Sequence, residues 1–242
     1  MGRATALVTL RAESVARMSC NPAIGGLAKG HLVAEIDALG GSMARVADAC
    51  GIQFRLLNRS RGPAVRGPRA QQDKERYHRT MLAQVLACPG LSLLVGEVCR
   101  LVVEGDAVRG VELADGSWCE AERVVVTTGT FLRGLLHVGL DQAPGGRVGE
   151  EPANALSESL RSLGLRMGRF KTGTPPRLRR ASVDLDRFPE QPGDVEPCFF
   201  SSRTRSPALP QVPCHIAFTN DRVHRAVTSN LDRSPLFSGA IQ

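Results

Sequence analysis

The sequence predicts an α/β fold, and three observations carry that expectation. Strands and helices alternate through the first ninety residues, with apolar positions at the matching periods. From Leu91 the period changes to β and a meander of short strands follows. The meander then closes on a continuous apolar run that ends in Thr-Thr-Gly, as expected of a buried parallel strand. A rise in proline density past residue 180 divides the chain into a first domain over residues 1–180 and the start of a smaller α+β domain over 181–242.

Taken in order, Thr5–Leu10 (TALVTL) reads as a buried strand. A Pro- and Gly-rich turn follows. Ala28, Leu32, Ile36 and Leu39 then recur at helical spacing until Gly40-Gly41 ends the helix. A second short helix, ARVADAC, stops at Gly51, and Ile52–Leu57 reads as a strand. The stretch NRSRGPAVRGPRA is expected to be a loop feeding a helix over about residues 70–87, with Tyr77, Met81, Val85 and Leu86 as its buried stripe. In the meander, Gly105-Asp106 and Asp115-Gly116 mark hairpin turns, and Val124–Thr127 is the expected central parallel strand. A helix over 153–163, a loop RFKTGTPPRLRR, a strand CHIAFT and a helix capped by Asp221 complete the reading. Such a layout suits a dinucleotide-binding α/β domain, the meander matching the crossover of flavoproteins with two dinucleotide domains.

Composition narrows the function classes. No run of 18 apolar residues exists, which excludes a spanning helix, and the short apolar N-terminus lacks a small-residue cleavage site. The seven cysteines are scattered, with no CxxC and no zinc spacing, so no metal site is expected and a reducing, cytoplasmic compartment is. The net charge of +7 is unevenly spread. Residues 55–79 carry eight Lys/Arg against Asp73 and Glu75, and residues 161–180 carry seven with no acid. Clustering of that kind points to a polyanionic partner, two solvated basic faces being the alternative. Lys29, Lys74 and Lys171 are the only lysines among 31 basic residues, and two of them lie in motif-like stretches.

Three stretches could carry chemistry. In RMSCNPAIGGLAKG, Cys20 precedes Gly25-Gly26 at a helix start without a Ser, Thr or Asp cap, leaving amides for an anion. The same field and nearby Arg17 would favour a Cys20 thiolate, the alternative being a tight turn with a buried thiol. Thr128-Gly129-Thr130 ends an apolar run in small residues that let backbone approach a cofactor. Arg59, Arg61, Arg66 and Arg69 sit on a semi-rigid loop suited to phosphate contact.

These stretches together resemble one family. MSCNPAIGG, GIQFR, RGPAVR, RAQ, TTGTFL, KTGTPPR and NLDRSP are similar to segments of the MnmG (GidA) family, FAD-dependent tRNA uridine 5-carboxymethylaminomethyl modification enzymes. The likeness runs from about Thr5 to Gln242. It implies an FAD/NAD(P)-binding Rossmann-like domain, incomplete here, and modification of the wobble uridine C5 in tRNA. It further implies methylenetetrahydrofolate and NADH as co-substrates, an MnmE-type GTPase as partner and a homodimer in full-length members. Cys20 matches the motif cysteine, a candidate catalytic thiol. Val98 and Ala153 fall at FAD contacts, Ala153 where a serine is common. Lys29, Arg66, Arg69, Lys171 and Arg177 would face tRNA or the folate and flavin anions.

Members of that family begin with a strand and a Gly-rich GGGHAG loop and continue past the position of Gln242. The resemblance therefore implies a fragment missing its first strand and Gly-rich loop. Two alternatives stand beside the enzyme reading: a non-catalytic basic RNA-binding fragment, or an inactive truncated product.

Overall fold

The computed structural model describes residues 2–239. The chain is α/β, and its residues group into two compact units, each assembled from separated segments.

The first unit comprises residues 1–6, 12–93 and 173–218. Its sheet is built from β2 (Ala23–Gly25), β3 (Gly51–Leu57) and β4 (Gly67–Gln72), ordered β2-β4-β3 and antiparallel throughout. One row across it, Ile24, Ala70 and Phe54, faces the core. Helices α1 (Lys29–Ala38), α2 (Met43–Cys50) and α3 (Lys74–Leu86) cover that face. Helix α2 buries Ala44, Val46, Ala47 and Cys50, small side chains that let it pack closely. Tyr77 of α3 and Phe200 complete the cluster, and the rings of Phe54 and Phe199 meet edge to face at 5.0 Å. Burial pushes the Tyr77 hydroxyl up to about 12 and the Cys50 thiol above its ordinary range, so both are neutral packing groups.

Strand β4 takes up the end of the stretch expected to be a loop and the first residues of the expected helix, where proline argues against a central strand. Here Pro68 sits opposite Leu56 with its carbonyl accepting from Gly26 N–H at 2.8 Å. Pro68 thus faces Gly26, just beyond the last paired residue of β2, and the Gly26 carbonyl takes the Gly30 amide at 2.9 Å, so the missing donor leaves no acceptor empty. Helix α3 consequently starts at Lys74 rather than near 70, with Asp73 capping the Arg76 amide. Two apolar stripes also differ from expectation. Helix α1 turns Gly30 and Val33 inward while Leu32, Ile36 and Leu39 are exposed, and Leu86 of α3 is exposed past the end of the core.

The second unit comprises residues 7–11, 94–172 and 219–242. The meander forms as expected, β6 (Val98–Glu104), β7 (Ala107–Leu113) and β8 (Trp118–Glu120) pairing antiparallel through turns at Gly105 and Gly116. Helix α4 (Ala155–Ser162) packs on β6 through Leu156 and Leu160, and Ser159 Oγ accepts from Leu101 N–H at 3.1 Å. A hairpin joins β9 (Leu135–Val138) and β10 (Asp141–Pro144). Helix α5 (Asp221–Thr228) is capped by Asn220, whose side chain takes the Val223 amide, so the cap lies one residue before Asp221.

Strand β1 (Thr5–Thr9) pairs with β5 (Leu91–Val95). The amide of Thr5 donates to Gly90 and that of Gly96 to Thr9, so the two run in the same direction. The expected parallel strand at Val124–Thr127 does not form. That run has no regular structure and no ladder partner among the described residues, with Val125 83% exposed, and a strand exists only through a hydrogen-bonded neighbour. Of the expected strand CHIAFT, only Cys214–His215 pairs, with Glu190–Gln191.

Candidate functional site

In the first unit the turn around Cys20 is held from both sides. The Cys20 thiol donates to the carbonyl of Gly173. The Arg177 guanidinium donates to the Cys20 carbonyl and, at 3.4 Å, to that of Ser19. Downstream, Gln72 N–H donates to Pro22 at 2.7 Å, tying the turn to the end of β4. The KTGTPPR loop has no regular structure, as its two prolines dictate, and that freedom lets it follow the turn.

The helix start after this turn departs from expectation. Ala28 caps α1 without any side-chain bond, as expected, but the Gly26 amide is not free: it donates to Pro68. The Gly30 amide in turn donates to the Gly26 carbonyl at 2.9 Å. Gly25 is fixed by crowding, since an added Cβ would lie 2.2 Å from the Pro68 carbonyl oxygen. Gly26 has nothing within 4 Å of that position. Lys29 and Arg66 are exposed, and Arg69 is half-buried opposite Gly25 on β4.

The second unit brings another set together. Thr128 accepts from the Phe131 amide at 3.4 Å, and Thr130 Oγ1 donates to Gly146 at 2.8 Å. Directly after that turn, Phe131 accepts from the Ala153 amide and Arg133 donates to the Ala153 carbonyl, each at 2.9 Å. Arg147 lies over the Phe131 ring at 5.2 Å and pairs with Glu150 at 3.4 Å. Val98, half-buried, opens the strand on which α4 packs. Lys171 is exposed in coil.

Fitted against a dinucleotide cofactor, these residues give a mixed result. Gly129, at φ +61° with open space beside it, allows close backbone approach. Ala153 is buried and both its backbone groups are already bonded, so only its surface is left for a cofactor.

Sequence reasoning missed one buried polar centre. Asp48, 1% exposed, accepts from the Phe200 amide at 3.0 Å, the Ser201 amide at 2.9 Å and the Thr204 hydroxyl at 2.7 Å. Burial pushes its carboxyl up and those three donors oppose the shift. Asp37 is nearby, accepting from the Ser201 hydroxyl at 2.8 Å. The legible signal was its spacing: Asp48 stands four residues after Ala44, on the apolar side of α2. Among the described residues no group of three or more His, Cys, Asp or Glu is arranged to hold a metal ion, and no helix is long and apolar enough to cross a membrane.

Comparison with known proteins gives a consistent answer. The family model described as "Glucose inhibited division protein A" matches residues 1–242. The tRNA uridine 5-carboxymethylaminomethyl modification enzyme MnmG of Syntrophotalea carbinolica is 56% identical over 242 residues, covering 100% of this chain and 39% of that protein. Its namesake from Thermodesulfovibrio yellowstonii is 51% identical with the same coverage. Aquifex aeolicus GidA in its form I crystal superimposes with a TM-score of 0.91 at 42% identity, covering 100% of this chain and 41% of that one. The chain thus spans about two fifths of the length of the relatives it matches. With the fold and the motif-bearing turns both matched end to end, the chain belongs to the glucose inhibited division protein A family.

Proposed function

We propose that this chain is part of an FAD-dependent enzyme that modifies C5 of the wobble uridine in tRNA, with methylenetetrahydrofolate and NADH as co-substrates. The observation that carries the reading is its end-to-end similarity to relatives named as tRNA uridine 5-carboxymethylaminomethyl modification enzymes. In this reading residues 1–180 belong to a Rossmann-like FAD domain and 181–242 begin a second domain. Cys20 supplies a thiol, delivered when its hydrogen bond to Gly173 is released. Arg177 keeps the backbone of that turn in place. FAD supplies the redox chemistry when bound. Gly25 and Gly26 shape the turn beside it, while Val98, Thr128, Gly129, Thr130 and Ala153 line its approach by backbone and surface. Lys29, Arg66, Arg69, Lys171 and Arg177 meet tRNA phosphates or cofactor anions. The partners are tRNA, an MnmE-type GTPase and a second copy of the whole enzyme, in the cytoplasm.

Binding of tRNA to this chain tests the reading. If three of these cations contact phosphate, affinity falls about 20- to 40-fold between roughly 50 and 200 mM salt. Arg66→Ala should reduce the slope of log affinity against log salt by about one. A flat salt response, or no binding at low salt, overturns the assignment for this chain.

A further inference from the structure

We propose that Arg55 and Arg69 together form a binding site for a phosphoryl oxyanion on the face of the β2-β4-β3 sheet turned away from the core. Arg55 ends the GIQFR segment and opens the basic stretch 55–79, but no role follows for it from either. The proposal deepens the anion-binding reading of Arg69 and rests on it only for that residue.

The register brings the pair together. Arg55 on β3 lies directly opposite Arg69 on β4, one step from the buried pair Phe54 and Ala70. Residues directly opposite share a face, so both arginines project away from the core with Cβ atoms about 5 Å apart. Like charges placed this way repel, and both residues are half-buried, where water screens less. An unrelieved pair of that kind is normally separated by a carboxylate. Here, among the described residues, neither guanidinium has an acidic partner.

A second observation points to a ligand. The Arg55 Nε–H is buried and has no acceptor. A buried donor without a partner is costly, and an arginine Nε is half of the fork that grips an oxyanion. On the neighbouring segment Asp194 is already used: it pairs with Arg59 at 2.8 Å and accepts from the Leu56 amide at 2.6 Å. Arg55, though not Arg69, lines a depression of about 510 Å³ whose lining includes Arg59 and Gly193 and the acids Asp194, Glu190 and Glu196. Glu190 faces His215 at 3.9 Å.

The chemistry selects the class. Two opposed guanidiniums offer ten N–H donors and two full charges, more than one carboxylate can neutralise. A phosphoryl group has enough charge and enough terminal oxygens to accept from both forks at once. Its source is either a free or dinucleotide phosphate, or the phosphodiester of RNA, and the experiment separates these.

The 242-residue chain, labelled with nitrogen-15, is titrated with sodium phosphate and with pyrophosphate against chloride at constant ionic strength. The arginine Nε–Hε signals of Arg55 and Arg69 are assigned from Arg55→Lys and Arg69→Lys. Both signals should move along one saturation curve, and Arg55→Gln should weaken binding at least tenfold. Signals that stay still with both probes, or an Arg55→Gln chain that binds as tightly as the parent, overturn the proposal. Should Arg69→Gln disturb the amide spectrum, Arg55→Gln carries the test alone. A trinucleotide of uridine that saturates the signals below the pyrophosphate concentration identifies RNA as the source, and the reverse order identifies a free or dinucleotide phosphate. Loss of tRNA binding with the phosphate response intact would sink the tRNA reading and leave this site standing.

Discussion

Replacing Arg177 with alanine should unlatch the loop that holds the Cys20 turn. The guanidinium bonds two consecutive carbonyls, those of Ser19 and Cys20, while the thiol of Cys20 bonds the same loop at Gly173. Hydrogen bonds to a charged group contribute about 1.5–3 kcal/mol when sheltered. Arg177 is exposed, so water and salt reduce that, and the two bonds together are worth about 1.4 kcal/mol. That is about a tenfold shift in the equilibrium between latched and open loop. Reaction with iodoacetamide requires the thiol to leave Gly173, so Cys20 should be alkylated about tenfold faster in Arg177→Ala, followed peptide by peptide by mass spectrometry. Cys88, exposed, is the internal reference and should not change. Arg177→Lys keeps the charge without the fork and should fall between the two. Equal rates at Cys20 in parent and variant would refute the latch. An equal acceleration at Cys88 would refute it as well, by showing general loosening.

Three further substitutions probe the same unit. Gly25→Ala places a methyl 2.2 Å from the Pro68 oxygen and 2.7 Å from the Phe200 ring, at φ +84°. It should cost roughly 2–4 kcal/mol in urea unfolding, against a smaller loss for Gly26→Ala, which meets no atom; equal losses would put the whole effect in the backbone. Asp48 has a folded pKa raised above its ordinary 3.8, chiefly by burial, so the folded state holds that proton more tightly than the unfolded chain. The stability linked to it is complete below the ordinary value and drains away as pH rises through the folded one. Parent stability minus that of Asp48→Asn should therefore shrink from acid towards neutral pH in a series of urea melts; a difference that grows would reverse the assignment.

Much of the fold is written in local pattern, and the exceptions have physical causes. The hairpins at Gly105 and Gly116 and the ends of α1 and α2 follow from backbone rules that act within a few residues. Strand β4 was hidden because Pro68 normally forbids a central strand, and its missing donor is harmless because β2 ends at Gly25 and the Gly26 carbonyl takes the Gly30 amide. Val124–Thr127 has the composition of a buried strand, but composition does not supply a hydrogen-bonded neighbour. In the candidate site, Cys20 was visible as a motif, while its bonds to Gly173 and Arg177 join residues more than 150 apart in sequence and have no local signature. Arg55 was half legible: the alternation in IQFRLL puts it opposite in sense to Phe54, but its neighbour Arg69 emerges only from the register.

The Asp48 centre also bears on how the chain is made. Helix α2 is complete by residue 50, yet the donors that satisfy its buried carboxylate arrive at Phe200, Ser201 and Thr204. At about 5–20 residues per second, a ribosome leaves that carboxylate waiting for roughly 8–30 s. Over the same interval the Cys20 turn is without Gly173 and Arg177. The nascent chain therefore carries an uncovered thiol and an unclosed core, a period in which a holdase or an oxidant reaches what the finished molecule keeps under its loop.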